Sequence, residues 1–173
     1  MVIKQDFFRI RPSSGAWALR AAVRVLHDPG FRAVALFRLG HWCRRSGLRP
    51  CAVIVEQLIF HLCQCTISTS ARIGGGLRIV HPIGIVIGTR VVAGRNLEIR
   101  QGTTLGGSAG KCRQGDPMWT QPRLGDDVVI GCHAAVLGPL KIGHGAVVGA
   151  CALLLCDADS AGTYVGVPAR RIR

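Results

Sequence analysis

Acidic residues are scarce in this chain. Nine Asp and Glu stand against 22 Lys and Arg in 173 residues, a formal net charge of +13. Aromatics make up only 5%, so large rings do not dominate the core and platforms for stacking nucleobases are few. No apolar run approaches the ~20 residues of a bilayer span; runs such as Cys51–Val55 and Leu58–Phe60 are fragments. No C-x-x-C pair occurs among the eight cysteines, which argues against zinc and thioredoxin-like sites. Met1–Ser14 has no apolar h-region, so no secretory signal and no disulfide framework is expected. The thiols therefore read as reduced, mostly buried small apolar residues of a cytoplasmic protein. Glycine is plentiful at 23 residues but does not recur at every third position, which excludes collagen.

The positive charge is uneven. Residues 1–50 hold ten basic and two acidic side chains, and 19 of the 22 basic residues are Arg. Such a surface suits an anionic glycan, an anionic membrane surface or a phosphorylated cosubstrate, although a solvated Arg-rich surface explains it equally. No nucleic-acid motif accompanies it.

A six-residue period fills the C-terminal two thirds. Ile67, Ile73, Ile79, Ile85, Val91 and Leu97 are spaced by six, and the period returns at Leu124, Ile130, Val136, Ile142, Val148 and Leu154. Four residues after the aliphatic position stand small or apolar residues, among them Ala71, Leu77, Ile83, Val128, Ala134 and Ala146. Neither a helix nor a plain strand produces this spacing; hexapeptide repeats form a parallel β-helix. Three hexapeptides make one triangular coil, with aliphatic side chains stacked inward and small residues at the corners. Residues 66–173 are therefore expected to form a mainly β domain of four to five coils with a C-terminal tail. The polar, Gly-rich stretch 107–121 breaks the period as an ejected loop.

Residues 1–65 differ. Ala16–Leu26, Phe31–Arg45 and Ala52–Leu62 read as helices punctuated by Asp28-Pro29-Gly30, Gly47 and Pro50, a short N-terminal α-helical cap. The third is apolar nearly all round, so it is expected to be buried against the coil end or another subunit.

Five segments in order carry a resemblance. They are Pro29-Gly-Phe-Arg-Ala-Val-Ala-Leu-Phe-Arg-Leu-Gly-His-Trp42, Ala71-Arg-Ile-Gly-Gly-Gly-Leu-Arg-Ile-Val-His81, Gly84-Ile-Val-Ile-Gly88, Gln101-Gly-Thr-Thr-Leu-Gly-Gly107 and Gly166-Val-Pro-Ala-Arg170. Together they resemble the serine acetyltransferase branch of the hexapeptide-repeat acyltransferases. The resemblance implies a left-handed parallel β-helix, a homotrimer with sites between subunits, acetyl-CoA as cosubstrate and no metal. It places His81 at the catalytic histidine, the general base that a weakly nucleophilic hydroxyl requires. By position it assigns Gly107, Cys132, Ala150, Pro168 and Arg170 to CoA, with Lys111 and Arg113 toward its phosphates. His133 and His144 are secondary candidates.

The chain departs from the pattern at two places. Thr66 stands fifteen residues before His81, where the family has an Asp that orients the imidazole; Thr66, Glu56 or Glu98 is left to support it. Thr120-Gln121 replaces the Arg-His pair that helps hold an amino acid's carboxylate, leaving Arg113 or Arg123 to supply charge. A short helical cap on this β-helix is also similar to the acetyltransferases encoded with exopolysaccharide pathways, of the colanic-acid type. The first functional expectation is therefore an O-acetyltransferase acting on a sugar hydroxyl in polysaccharide biosynthesis, in the cytoplasm or peripheral to the inner membrane. The alternatives are a serine O-acetyltransferase of L-cysteine biosynthesis and a non-catalytic trimeric scaffold.

Overall fold

A computed structural model describes residues 2–8 and 17–173. Four helices precede the repeats: α1 (Val2–Phe8), α2 (Trp17–His27), α3 (Pro29–Arg45) and α4 (Arg49–Cys63). Ala16, the expected first residue of the α2 segment, lies outside the described residues. The α3 start follows from its sequence. The Asp28 side chain accepts the Phe31 N–H at 3.0 Å, and Pro29 opens the helix, where its missing N–H costs nothing. α4 ends where Gln64 turns left-handed, at φ 53°.

One helix was not expected. α1 is held by Asp6, which is fully buried. Its carboxylate accepts from Arg38 Nε and Nη2 at 2.8 and 3.1 Å and from the Leu77 N–H at 2.8 Å. Arg38 also donates to the carbonyls of Ile73 and Gly74, both at 2.6 Å. α1, α3 and the first coil are thus tied by one ion pair.

The remainder is a left-handed parallel β-helix of about five turns. Fifteen short strands, numbered in chain order, build a triangular prism. Face I contains β1 (Thr66–Ile67), β4 (Val86–Ile87), β7 (Thr104–Gly106), β10 (Ala135–Leu137) and β13 (Leu153–Leu154). Face II contains β2 (Arg72–Ile73), β5 (Val92–Ala93), β8 (Arg123–Leu124) and β11 (Lys141–Ile142). Face III contains β3 (Arg78–Val80), β6 (Glu98–Arg100), β9 (Val129–Ile130), β12 (Val147–Val148) and β14 (Thr163–Gly166), with β15 (Ala169–Arg171) folding back antiparallel on β14. All twelve repeat aliphatics point inward and are buried, each contributing about 1.5–3 kcal/mol of transfer free energy.

The repeat is nevertheless not continuous. Ile67 pairs with Ile87 and Ile79 with Ile99, 20 residues on, whereas Ile87 pairs with Leu105 and Leu124 with Ile142, 18 residues on. The first coil carries two extra residues at the corner that holds His81 and Pro82. A coil side has two inward positions two residues apart. The insertion therefore moves Ile85, Val91 and Leu97 into the second inward position beside Ile87, Ala93 and Ile99, all buried. The even six-residue spacing across 79–85 hides this slip. Ile83, four residues after Ile79, is 61% exposed at the vertex beside Gly84.

α4 buries Ala52, Val55, Ile59 and Cys63, while Val53, Ile54, Leu58, Phe60 and Leu62 are exposed in the single chain. One further expectation is corrected. Of the eight free cysteines only Cys43, Cys63 and Cys65 are buried, while Cys51, Cys112, Cys151 and Cys156 are exposed, because several occupy outward corners of the coils. Among the described residues no helix is long and apolar enough to cross a membrane.

Candidate active site

The vertex between faces III and I is a column of left-handed backbone: Gln64, Gly84, Gly102, His133 and Cys151 all have positive φ. Above Gln64, whose N–H closes α4 on the Phe60 carbonyl, each is tied to the rung below by bonds such as Gly102 N–H to Ile83 C=O and His133 N–H to Gln101 C=O. His81 also has positive φ, 57°, but lies in the insertion, outside this column. It is exposed, and no described residue hydrogen-bonds its ring. The insertion therefore lifts an unencumbered imidazole off the regular surface.

His81 lines a cleft of about 290 Å³ between the coil and the helices. Its other walls are Arg24, His27, Asp28 and Gly30 from the α2–α3 junction and Arg78 from β3. Gly30 is required there, since a Cβ would collide with the Ile79 carbonyl. Sequence reasoning missed this wall, His27 included; helix-to-coil packing has no signature in local spacing.

None of the residues expected to orient His81 does so in the isolated chain. Thr66 makes a backbone bond to the Ile85 carbonyl, with no described bond to His81. Glu56 is bound to Thr69 through both its N–H (2.7 Å) and its hydroxyl (2.6 Å), and Arg44 reaches it at 3.4 Å. Glu98 is shared by Arg78 and Arg100 at 3.1 and 3.2 Å. Both carboxylates answer to nearer arginines or hydroxyls.

The expected CoA contacts divide between two vertices. Cys132 and Ala150 are stacked neighbours on the III–I vertex, where a Cβ on Gly131 would touch the Ala150 backbone. Pro168 and Arg170 lie in the β14–β15 hairpin at the top of that column, with Arg170 paired to Val165. Gly107 and Lys111 lie instead on the vertex between faces I and II, where the chain leaves the coil after β7. One chain does not gather the two groups.

The excluded loop is folded back on that second vertex. Arg113 grips Asp157 with both Nη atoms at 2.8 and 2.7 Å, and Arg123 reaches Asp116 at 3.1 Å. Both guanidiniums lie over the Trp119 ring, at 5.0 and 4.1 Å from its centre. The Arg113 hydrogen bond holds the Asp157 carboxyl below its ordinary value. Arg113 and Arg123 are thus each paired with a carboxylate in the isolated chain. Lys111 remains, on the rim of a cleft of about 630 Å³ whose floor includes Leu137, Leu140 and Leu155. An apolar floor with a cationic rim fits a pantetheine arm and its phosphates.

Thr120 and Gln121 are also occupied. The Gln121 side chain accepts the Arg90 N–H at 2.9 Å, and Thr120 Oγ1 lies 3.5 Å from the Arg90 guanidinium. Of the secondary histidines, His133 packs on Gly102, where a Cβ would meet its Nδ1. His144 sits on the vertex between faces II and III and accepts the Asp126 N–H on Nδ1 at 3.0 Å. Cys65 is inert, its thiol pushed up to about 12 by burial.

Comparison with known proteins is consistent with this architecture. No protein-family model matches the chain. The serine acetyltransferase of Escherichia coli strain K12 is 36% identical over 146 residues, covering 84% of this chain and 52% of its own length. That of Synechococcus elongatus is 35% identical over 148 residues, covering 86% and 59%. The chain thus spans between half and three fifths of these curated relatives. A solved soybean serine acetyltransferase complexed with serine superposes with a TM-score of 0.84 at 33% identity, over 99% of this chain and 68% of that one.

Proposed function

Because this chain belongs to the serine acetyltransferase branch of the hexapeptide-repeat acyltransferases, we propose that it is an acetyl-CoA-dependent O-acetyltransferase with His81 as general base. The observation that carries this reading is the His81 corner: a two-residue insertion that breaks an otherwise regular coil and leaves an unpaired imidazole in a cleft. His81 takes the proton of the acceptor hydroxyl as its oxygen attacks the thioester carbonyl carbon. The carbon–sulfur bond then breaks, and the imidazolium returns the proton to the departing thiolate. The products are the O-acetyl acceptor and free CoA. Thr66 is a supporting hydroxyl at most, and supplies no charge to the imidazolium.

L-serine is the acceptor we favour, because the relatives and solved structures named above are serine acetyltransferases. None of the relatives named above supports the sugar hydroxyl expected first from sequence. One observation keeps it as the second reading: Thr120 and Gln121 replace the expected Arg-His pair and are spent on Arg90. CoA is held by Lys111 and Gly107 on one vertex and by Cys132, Ala150, Pro168 and Arg170 on the other. A homotrimer in which one copy's III–I vertex meets its neighbour's I–II vertex assembles both halves. The working compartment is the cytoplasm.

Acetyl transfer from acetyl-CoA to L-serine and to a panel of neutral and acidic sugars, followed by mass spectrometry, tests the reading. O-acetylserine as the dominant product supports it. Acetylation of sugars alone transfers the assignment to the second reading, and no transfer to any acceptor rejects both.

A further inference from the structure

The His81 cleft contains more positive charge than its carboxylates balance. Arg24 is matched by Asp28, with Nε and Nη2 at 3.0 and 2.9 Å. Asp28 is also consumed as the α3 cap. On the opposite wall stands Arg78, which shares the single carboxylate of Glu98 with Arg100, both on the neighbouring strand β6. Arg78 uses only Nη1 in that pair. Its side chain is 43% exposed, and no other described residue takes its remaining N–H groups. A guanidinium presents a fork suited to a carboxylate, and Arg78 lines the same cleft as His81. Of the other cations near the expected carboxylate position, Arg113 and Arg123 are committed to Asp157 and Asp116, and Arg90 lies against Thr120 Oγ1 ahead of β5 on face II, away from the cleft that His81 lines.

We infer that Arg78 holds a carboxylate of the acceptor in the His81 cleft, with the α2–α3 junction as the facing wall. The acceptor class is a hydroxyl compound bearing a carboxylate within a few ångströms of the reacting oxygen. L-serine and a uronate both have this chemistry. A cleft of about 290 Å³, near the lower end of small-molecule pockets, holds either. The role lost at Thr120-Gln121 thus passes to β3. This inference rests on the acetyl-transfer reading and names the group that selects the acceptor.

The test is the Arg78→Gln variant, assayed with L-serine against serinamide and with glucuronate against glucose. Glu98 keeps Arg100 in the variant, so the coil remains intact, as its unfolding temperature would report. The KM for the carboxylate member of the accepted pair is expected to rise at least about tenfold, the size of a lost charge-assisted hydrogen bond, while the KM for acetyl-CoA and for the neutral member moves little. Arg72→Gln, on face II, serves as the control and leaves all values unchanged. Which pair responds separates serine from a uronate. Equal effects on charged and neutral acceptors, or none, overturn the inference while leaving the acetyl-transfer reading in place. If the wild-type protein transfers acetyl to nothing, that reading fails by itself, and binding decides the inference. Backbone amide NMR shifts at Gly30 and Arg78 on titration with L-serine and with glucuronate, absent with the neutral analogues, support the carboxylate site; no shift with either rejects it.

Discussion

Asp6→Ala removes the one carboxylate that ties α1, α3 and the first coil together. Asp6 is fully buried and the Arg38 side chain is 11% exposed. The substitution leaves a guanidinium charged and partly desolvated, together with the unpaired N–H of Leu77. Two bonds from Arg38 to the carbonyls of Ile73 and Gly74 survive, so the charge stays in place and its cost is felt. Breaking a buried pair on one side costs about 3–5 kcal/mol. For a chain of this size each kcal/mol lowers the unfolding temperature by roughly 2–4 °C, so a fall of about 6–20 °C is expected in calorimetry at neutral pH. The double variant Asp6→Leu with Arg38→Met removes both charges and is expected to recover most of that loss, since an apolar replacement of a buried pair is often neutral. A fall below about 2 °C for Asp6→Ala would refute the reasoning, as would a double variant less stable than the single one.

Two further outcomes follow from the site's surroundings. Gly102→Ala forces a Cβ into the left-handed region, at a φ of 67°, and against His133 Nδ1. It should cost more than Gly110→Ala, which has a φ of 77° but open space around it and so carries only the strain of about 1–2 kcal/mol; chemical denaturation of the pair checks the difference, and the His133 ring resonances should move in the first variant alone. The Asp157 carboxyl is held below its unperturbed 3.8 by Arg113. Its depressed value makes the clasp's contribution complete above about pH 3.8 and lost as pH falls through the folded value. Trp119 fluorescence should therefore change in that acid window, and Arg113→Ala should abolish the step.

The prism was legible because one inward position per strand recurs at a fixed spacing, and all twelve aliphatics are buried. The insertion at His81 was not, because Ile85, Val91 and Leu97 continue the same spacing from the other inward set. His81 itself stood out through its motif. Arg24, His27 and Arg78 did not, since a wall made by packing α2–α3 on β3 has no local pattern. The same holds for the Arg113–Asp157 clasp, whose partners lie 44 residues apart, and for Glu56, which looked free in sequence but binds Thr69. Three helices could be drawn from hydrophobic runs and from Asp-Pro-Gly, Gly and Pro punctuation. α1 could not, because its anchor is a single buried Asp6.

The most direct test of the central claim is His81→Ala in the acetyl-transfer assay, read as acceptor-dependent loss of the thioester absorbance. The account predicts a fall in kcat of at least ~10²-fold, an unchanged unfolding temperature and an affinity for CoA within a few-fold of the parent, since the proposed CoA contacts lie elsewhere. Near-parental turnover in a folded His81→Ala protein would contradict it and take the base away from the corner that the insertion builds.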